Sequence, residues 1–253
     1  MIEKFKDLLD RLLIATQPLA EEKTVNGDQF MVTMLGMYRV SFSTLRDIKY
    51  LALHIETASS VLDLARKITE YSLTVEYMLL KGKGRAAQEF QEHLWVQLYK
   101  DGGFLKMLGF ADLAEAGESS ESSFSVVDKE FKKVPTGHRD RHSWAGKSTD
   151  QMVKLLYDAG RLSQADFNRI AQAYIWGSRA NHPNPLVVKS FLDSAKSEQA
   201  NDLYMQHGLF LALSFHLRLT TRYIDEIRVA VGRNEHKSIA NEVSKIYEEL
   251  NSL

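Results

Sequence analysis

The sequence predicts an all-α protein: a multi-helix antiparallel bundle with an irregular central connection and long C-terminal helices. Three observations carry that prediction. Apolar residues recur at spacings of three and four through most of the 253 residues, no alternating run is long enough for a strand, and no segment repeats at a fixed period. With 44% hydrophobic residues the chain can bury a large core. It reads as a single helical domain over 1–253, with a core bundle at about 28–185 and a C-terminal helical hairpin at about 200–250.

In order, residues 2–17 set Phe5, Leu8, Leu9, Leu12 and Leu13 on one stripe, and Pro18 marks an end or a kink. Asn26-Gly27 makes a turn and Asp28 caps a second helix reaching to about His54. Thr57, Ser59 and Ser60 cap the segment Ser60 to Leu80, whose broad apolar face includes Val61, Leu64, Ile68, Val75 and Met78. Much of the chain can be read as packing around that helix. Lys81-Gly82-Lys83-Gly84 is a loop, Arg85–Lys100 a fourth helix, and Asp101-Gly102-Gly103 its stop.

From Gly102 to Lys147 the pattern loosens, with short helical pieces expected near Phe104–Ala116 and Ser125–Lys133. Helices resume at Thr149–Asp158 and at Gln164–Asn181, the latter capped by Ser163 and closed by His182-Pro183-Asn184-Pro185. Leu186–Lys196, a long helix from about Ala200 to Val231 and a last one from about Lys237 to Leu250 complete the chain.

Composition narrows the chemistry. Thirty-two basic against 33 acidic side chains give no whole-chain attraction to nucleic acid or membrane. The absence of cysteine excludes disulfides, thiolate metal sites and cysteine nucleophiles. The charged, amphipathic start is unlike a secretory signal, and no window reaches the ~18 apolar residues of a membrane span. A soluble, cytoplasmic protein without membrane partner is expected. No phosphate loop, HExxH or GxSxG occurs, and Glu89 with His93 is read as a structural pair. No cofactor and no metal are expected.

Three constellations remain. Arg66 and Glu70 lie four apart on the flank of the apolar face, as a surface ion pair or as charges turned into the bundle for a purpose. Between Asp128 and Lys147, basic residues outnumber acidic ones. His138, Arg139, Arg141, His142, Trp144 and Lys147 there offer groups for phosphate or for base stacking, unless the loop is simply solvated. Tyr174, Ser178 and His182 are spaced four apart with Arg179 beside them, either a polar stripe facing a pocket or a helix ending on a capping histidine.

These segments resemble a family of uncharacterised helical bacterial proteins known as domain of unknown function 5677. The resemblance lies in Arg66-Lys67-Ile68-Thr69-Glu70 with the following Val75 to Leu80, in Ser143-Trp144-Ala145-Gly146-Lys147-Ser148, and in Tyr174, Ser178 and His182-Pro183, over about residues 30–185. That family is similar in general design to the HEPN superfamily of helical nucleotide-binding proteins, often dimeric and often metal-independent ribonucleases of toxin or phage-defence systems. The superfamily's R-x4-6-H motif has no counterpart at that spacing before any of the eight histidines, so an arginine from elsewhere would take its part. The resemblance then implies one pocket formed by Arg66, Glu70, Trp144, Tyr174, Ser178 and His182. His182 would be general acid/base, Arg66 or Arg179 the phosphate clamp, and Arg139, His142 and Lys147 would touch RNA.

The expected function is a HEPN-like effector that cleaves or binds RNA. The alternative is a non-catalytic binding or oligomerisation module whose C-terminal helices dock on a protein partner or on a second copy. A third reading, a small-molecule sensor, rests on the aromatic lining offered by Tyr71, Tyr77, Trp144 and Tyr174.

Overall fold

A computed structural model describes residues 1–22, 28–109, 127–138, 143–181, 194–231 and 236–253. Among them there is helix and turn and no strand, so the all-α expectation holds. The helices are α1 (Ile2–Glu21), α2 (Gln29–Leu51), α3 (Ala58–Lys81), α4 (Lys83–Met107), α5 (Thr149–Asp158), α6 (Gln164–Asn181), α7 (Ser194–Val231) and α8 (Lys237–Asn251). The chain divides into two compact units, one of residues 1–77 with 156–253 and one of residues 78–155.

The larger unit is built around α7. Residues 211–217 are buried without interruption, so for two turns this helix meets protein on every side. It packs against α1, α2, α6 and α8. The centre of the unit is thus α7 rather than the Ser60 to Leu80 segment. The sequence signal was available, since LFLALSFHL is as continuous an apolar run as any in the chain. Helix α3 reaches α7 at a close approach. A Cβ added at Gly208 would stand 2.9 Å from Val61 Cγ1 and 3.0 Å from the backbone nitrogen of Leu62.

Where α7 faces α2 lies His216, fully enclosed, its ring stacked on Tyr38 at 5.4 Å and its Nδ1 2.8 Å from the Ser41 hydroxyl. Burial pulls its pKa down to about 3, so it is neutral at ordinary pH. Helices α1 and α8 are clasped by Arg11. Its guanidinium donates to Glu249 at 2.7 and 2.9 Å and to Glu242 at 3.0 Å.

Local boundaries follow from side-chain chemistry. Asp28 caps α2 by accepting from the Phe30 N–H at 2.9 Å, as its position implies. Ser163 caps α6 in a reciprocal box: the Asp166 N–H donates to Ser163 Oγ at 3.1 Å while Ser163 N–H and Oγ–H donate to the Asp166 carboxylate at 3.0 and 2.8 Å.

Two expected breaks do not occur. Helix α1 continues past Pro18 to Glu21. Ile14, whose carbonyl loses its partner there, lies on the outer face at 75% exposure, where water can replace the missing donor, and Leu19 is fully buried. Helix α4 likewise runs through Gly102-Gly103, with Gly102 buried, and stops at Leu108 before Gly109, which takes φ +85°.

The smaller unit has its own core, in which Val96 and Trp95 of α4 pack on Val127 and Phe131. The latter two bracket one turn of π-helix, Val127–Phe131, inside the stretch where a short helical piece is expected. Tyr99 meets the Phe131 ring edge-on at 5.8 Å. Among the described residues no helix is long and apolar enough to cross a membrane.

Candidate functional site

Arg66 and Glu70 stand one turn apart on α3, and Tyr174 comes from α6, more than a hundred positions later. The fold brings the three together. Arg66 Nε donates to Glu70 Oε1 at 3.2 Å, the Tyr174 hydroxyl donates to the same oxygen at 3.1 Å, and the guanidinium carbon lies 4.8 Å from the Tyr174 ring centroid. One carboxylate oxygen therefore holds both donors, while the ring supports the cation from its face. Arg66 keeps 27% of its side chain exposed, and no hydrogen bond engages its Nη atoms among the described residues. A guanidinium oriented at one edge and open at the other can receive a phosphate or carboxylate.

The remaining expected site residues divide by location. Ser178 and Arg179 lie on the backbone of α6, which places Ser178 one turn beyond Tyr174; their side chains lie outside the description. His182, Arg139 and His142 lie outside the described residues. Trp144 and Lys147 belong to the smaller unit. There Trp144 sets its ring perpendicular to Phe90 at 5.4 Å, and Lys147 is half-exposed with its backbone N–H donating to Ser143 Oγ at 3.1 Å.

A second charged cluster, which the sequence pattern does not reveal, joins α3 to α7. Glu76, six positions after Glu70, is wholly buried. Its Oε1 accepts from Arg218 Nε at 3.0 Å and from Arg222 Nε at 2.7 Å, and Arg161 stands 3.9 Å from Oε2. Arg218 also donates to Asp166 at 3.1 Å and to the Arg161 carbonyl. Burial pushes the Asp166 carboxyl up, but the hydrogen bonds from Ser163 and the Arg218 guanidinium outweigh it and hold the group below its ordinary value. One signal existed: a lone Glu inside LTVEYMLL, and a lone Arg inside FHLRL, are charges set among apolar neighbours. Their pairing across 142 positions was not legible.

No family model, no curated protein and no solved structure matches this chain.

Proposed function

We propose that this chain is a HEPN-like helical protein that engages RNA through its phosphates and cleaves it without a metal, the Arg66, Glu70 and Tyr174 cluster being one wall of the site. The observation that carries the reading is Arg66, fixed on one edge by Glu70 and on one face by Tyr174, with no hydrogen bond at its Nη atoms among the described residues. A guanidinium held this way is suited to the non-bridging oxygens of a phosphodiester. In the sequence His182 directly follows Asn181, the last residue of α6, the helix that carries Tyr174.

In this reading the RNA 2′-oxygen attacks the adjacent phosphorus, the bond from phosphorus to the 5′-oxygen breaks, and a 2′,3′-cyclic phosphate and a 5′-hydroxyl result. His182 moves the proton lost by the 2′-hydroxyl or gained by the leaving oxygen, and Arg66 offsets the charge that builds on phosphorus. The setting that the resemblance implies, a toxin or phage-defence system, belongs to the same proposal.

Labelled RNA incubated with the protein in EDTA tests it. Products ending in cyclic phosphate, lost in His182→Ala and reduced about 10- to 100-fold in Arg66→Ala, support the reading. Intact RNA with the unaltered protein at equimolar concentration overturns it in favour of a non-catalytic binding or oligomerisation module. A specific observation keeps that second reading alive: Val229, near the end of α7, is 77% exposed, an apolar side chain available to a partner.

A further inference from the structure

The larger unit holds a cavity of about 420 Å³ lined by α6, α7 and α8, separate from the Arg66 cluster. Its floor and one side come from a single stripe of α7. Ser214, Arg218 and Arg222 are spaced four apart and so project from one side of that helix. Val243 and Tyr247, also four apart, form the opposite wall from α8, and Phe215 closes the apolar part.

The polar groups of this cavity are unequally occupied. Arg218 is consumed by Glu76, Asp166 and the Arg161 carbonyl. Arg222 gives only its Nε to Glu76, leaving both Nη atoms without a hydrogen-bond partner among the described residues. Ser214 is more pointed still. It is 7% exposed, and its buried hydroxyl has no hydrogen-bond partner among the described residues. A buried hydroxyl without a partner is costly, and the native exceptions want an explanation. A ligand atom in the cavity supplies one.

Charge selects the ligand. The lining carries Arg169, Arg218 and Arg222 against Asp166 and Glu248, one positive charge in excess. Adding buried Glu76 and its neighbour Arg161 leaves that excess unchanged. A single negative charge neutralises it, whereas a phosphate dianion would overshoot. The free end of a guanidinium also matches the two oxygens of a carboxylate. We infer that this cavity is a binding site for a small monoanionic carboxylate with an apolar or aromatic body, the carboxylate on Arg222 and Ser214 and the body against Tyr247, Val243 and Phe215. The site is independent of whether the protein cuts RNA.

Titration of the full chain with benzoate, benzyl alcohol and inorganic phosphate, followed by calorimetry and by Tm, tests the inference. Benzoate is expected to bind and to raise Tm with concentration, and the neutral alcohol and phosphate to do neither. Ser214→Ala and Arg222→Gln are each expected to weaken benzoate at least about tenfold. Because Arg222 also holds Glu76, Tyr247→Ala at the exposed rim provides a variant that folds whatever happens to that ion pair; it too is expected to weaken benzoate. Ser214→Ala separates binding from packing, since a merely structural hydroxyl would leave benzoate affinity unmoved. The inference is overturned if benzoate does not bind, if it binds all three variants as tightly as the unaltered protein, or if phosphate binds in its place.

Discussion

The two glutamates of helix α3 stand six positions apart, and each meets arginine in a different solvent. Glu70 is 42% exposed and holds Arg66 and Tyr174 at 3.1 to 3.2 Å. Glu76 is sealed from water and holds Arg218 and Arg222 at 2.7 to 3.0 Å. The same ion-pair chemistry therefore does two jobs. In water the pair is weak and exchangeable, because solvent screens it and competes for every donor. Away from water neither partner can leave without stranding the other, so the pair is fixed. The lesson is that the exposed cluster is free to serve a ligand, while the buried one must serve the fold before anything else.

The sharpest way to break this contrast is Glu76→Ala. It leaves Arg218 and Arg222 facing each other without their shared carboxylate and is expected to cost about 3 to 5 kcal/mol in urea denaturation. If the loss is no larger than that of Glu70→Ala, the burial argument fails.

Acid gives a second test of what enclosure does to a titrating group. His216 has a folded pKa of about 3 against an ordinary value near 6.5, so between those values the unfolded chain binds a proton that the folded chain refuses. Its stabilising contribution is complete above about pH 6.5 and is lost as pH falls toward 3. Urea midpoints measured from pH 7 to 4 should therefore fall, and His216→Gln should flatten that slope. The Asp166 carboxyl adds its own loss only at lower pH, below its ordinary range, because its folded pKa is depressed.

Gly208→Ala comes next. A methyl group at 2.9 Å from Val61 and 3.0 Å from the Leu62 backbone must push α3 from α7, and a loss of about 1 to 3 kcal/mol is expected in thermal or urea unfolding. The smallest change in stability belongs to the open pair. Arg66→Ala should alter unfolding free energy by less than about 1 kcal/mol, while any RNA cleavage or binding by the protein should fall by much more. A variant that loses both together would make Arg66 a structural residue.

The helix class was legible because spacing at 3.6 residues is written into each segment separately, and the caps at Asp28 and Ser163 are short-range chemistry that any reader can see. Breaks were harder. Pro18 and Gly102-Gly103 are poor helix residues on their own, and only the finished packing, with Leu19 and Gly102 buried, shows why the helix continues through them. Of the six residues that the resemblance gathers into one pocket, Arg66, Glu70, Trp144, Tyr174, Ser178 and His182, the described contacts join Arg66, Glu70 and Tyr174. The meeting of Glu76 with Arg218 and Arg222 is not legible in the sequence, since periodicity says which side of a helix is apolar and nothing about which distant helix faces it. Ser214 was invisible for the same reason: its peculiarity is a missing partner, which no sequence states.

The clasp between Arg11 and Glu249 joins residues 238 positions apart. During synthesis α1 emerges long before α8 exists, and its apolar stripe of Phe5, Leu8, Leu9, Leu12 and Leu13, which α2 can begin to cover, is completed only by α7 and α8. The larger unit can close only after α8 has been made, whereas residues 78–155 are made in between and have a core of their own. A nascent chain halted before α7 would therefore carry a first helix that α2 alone can cover, its sides toward α7 and α8 still open to water.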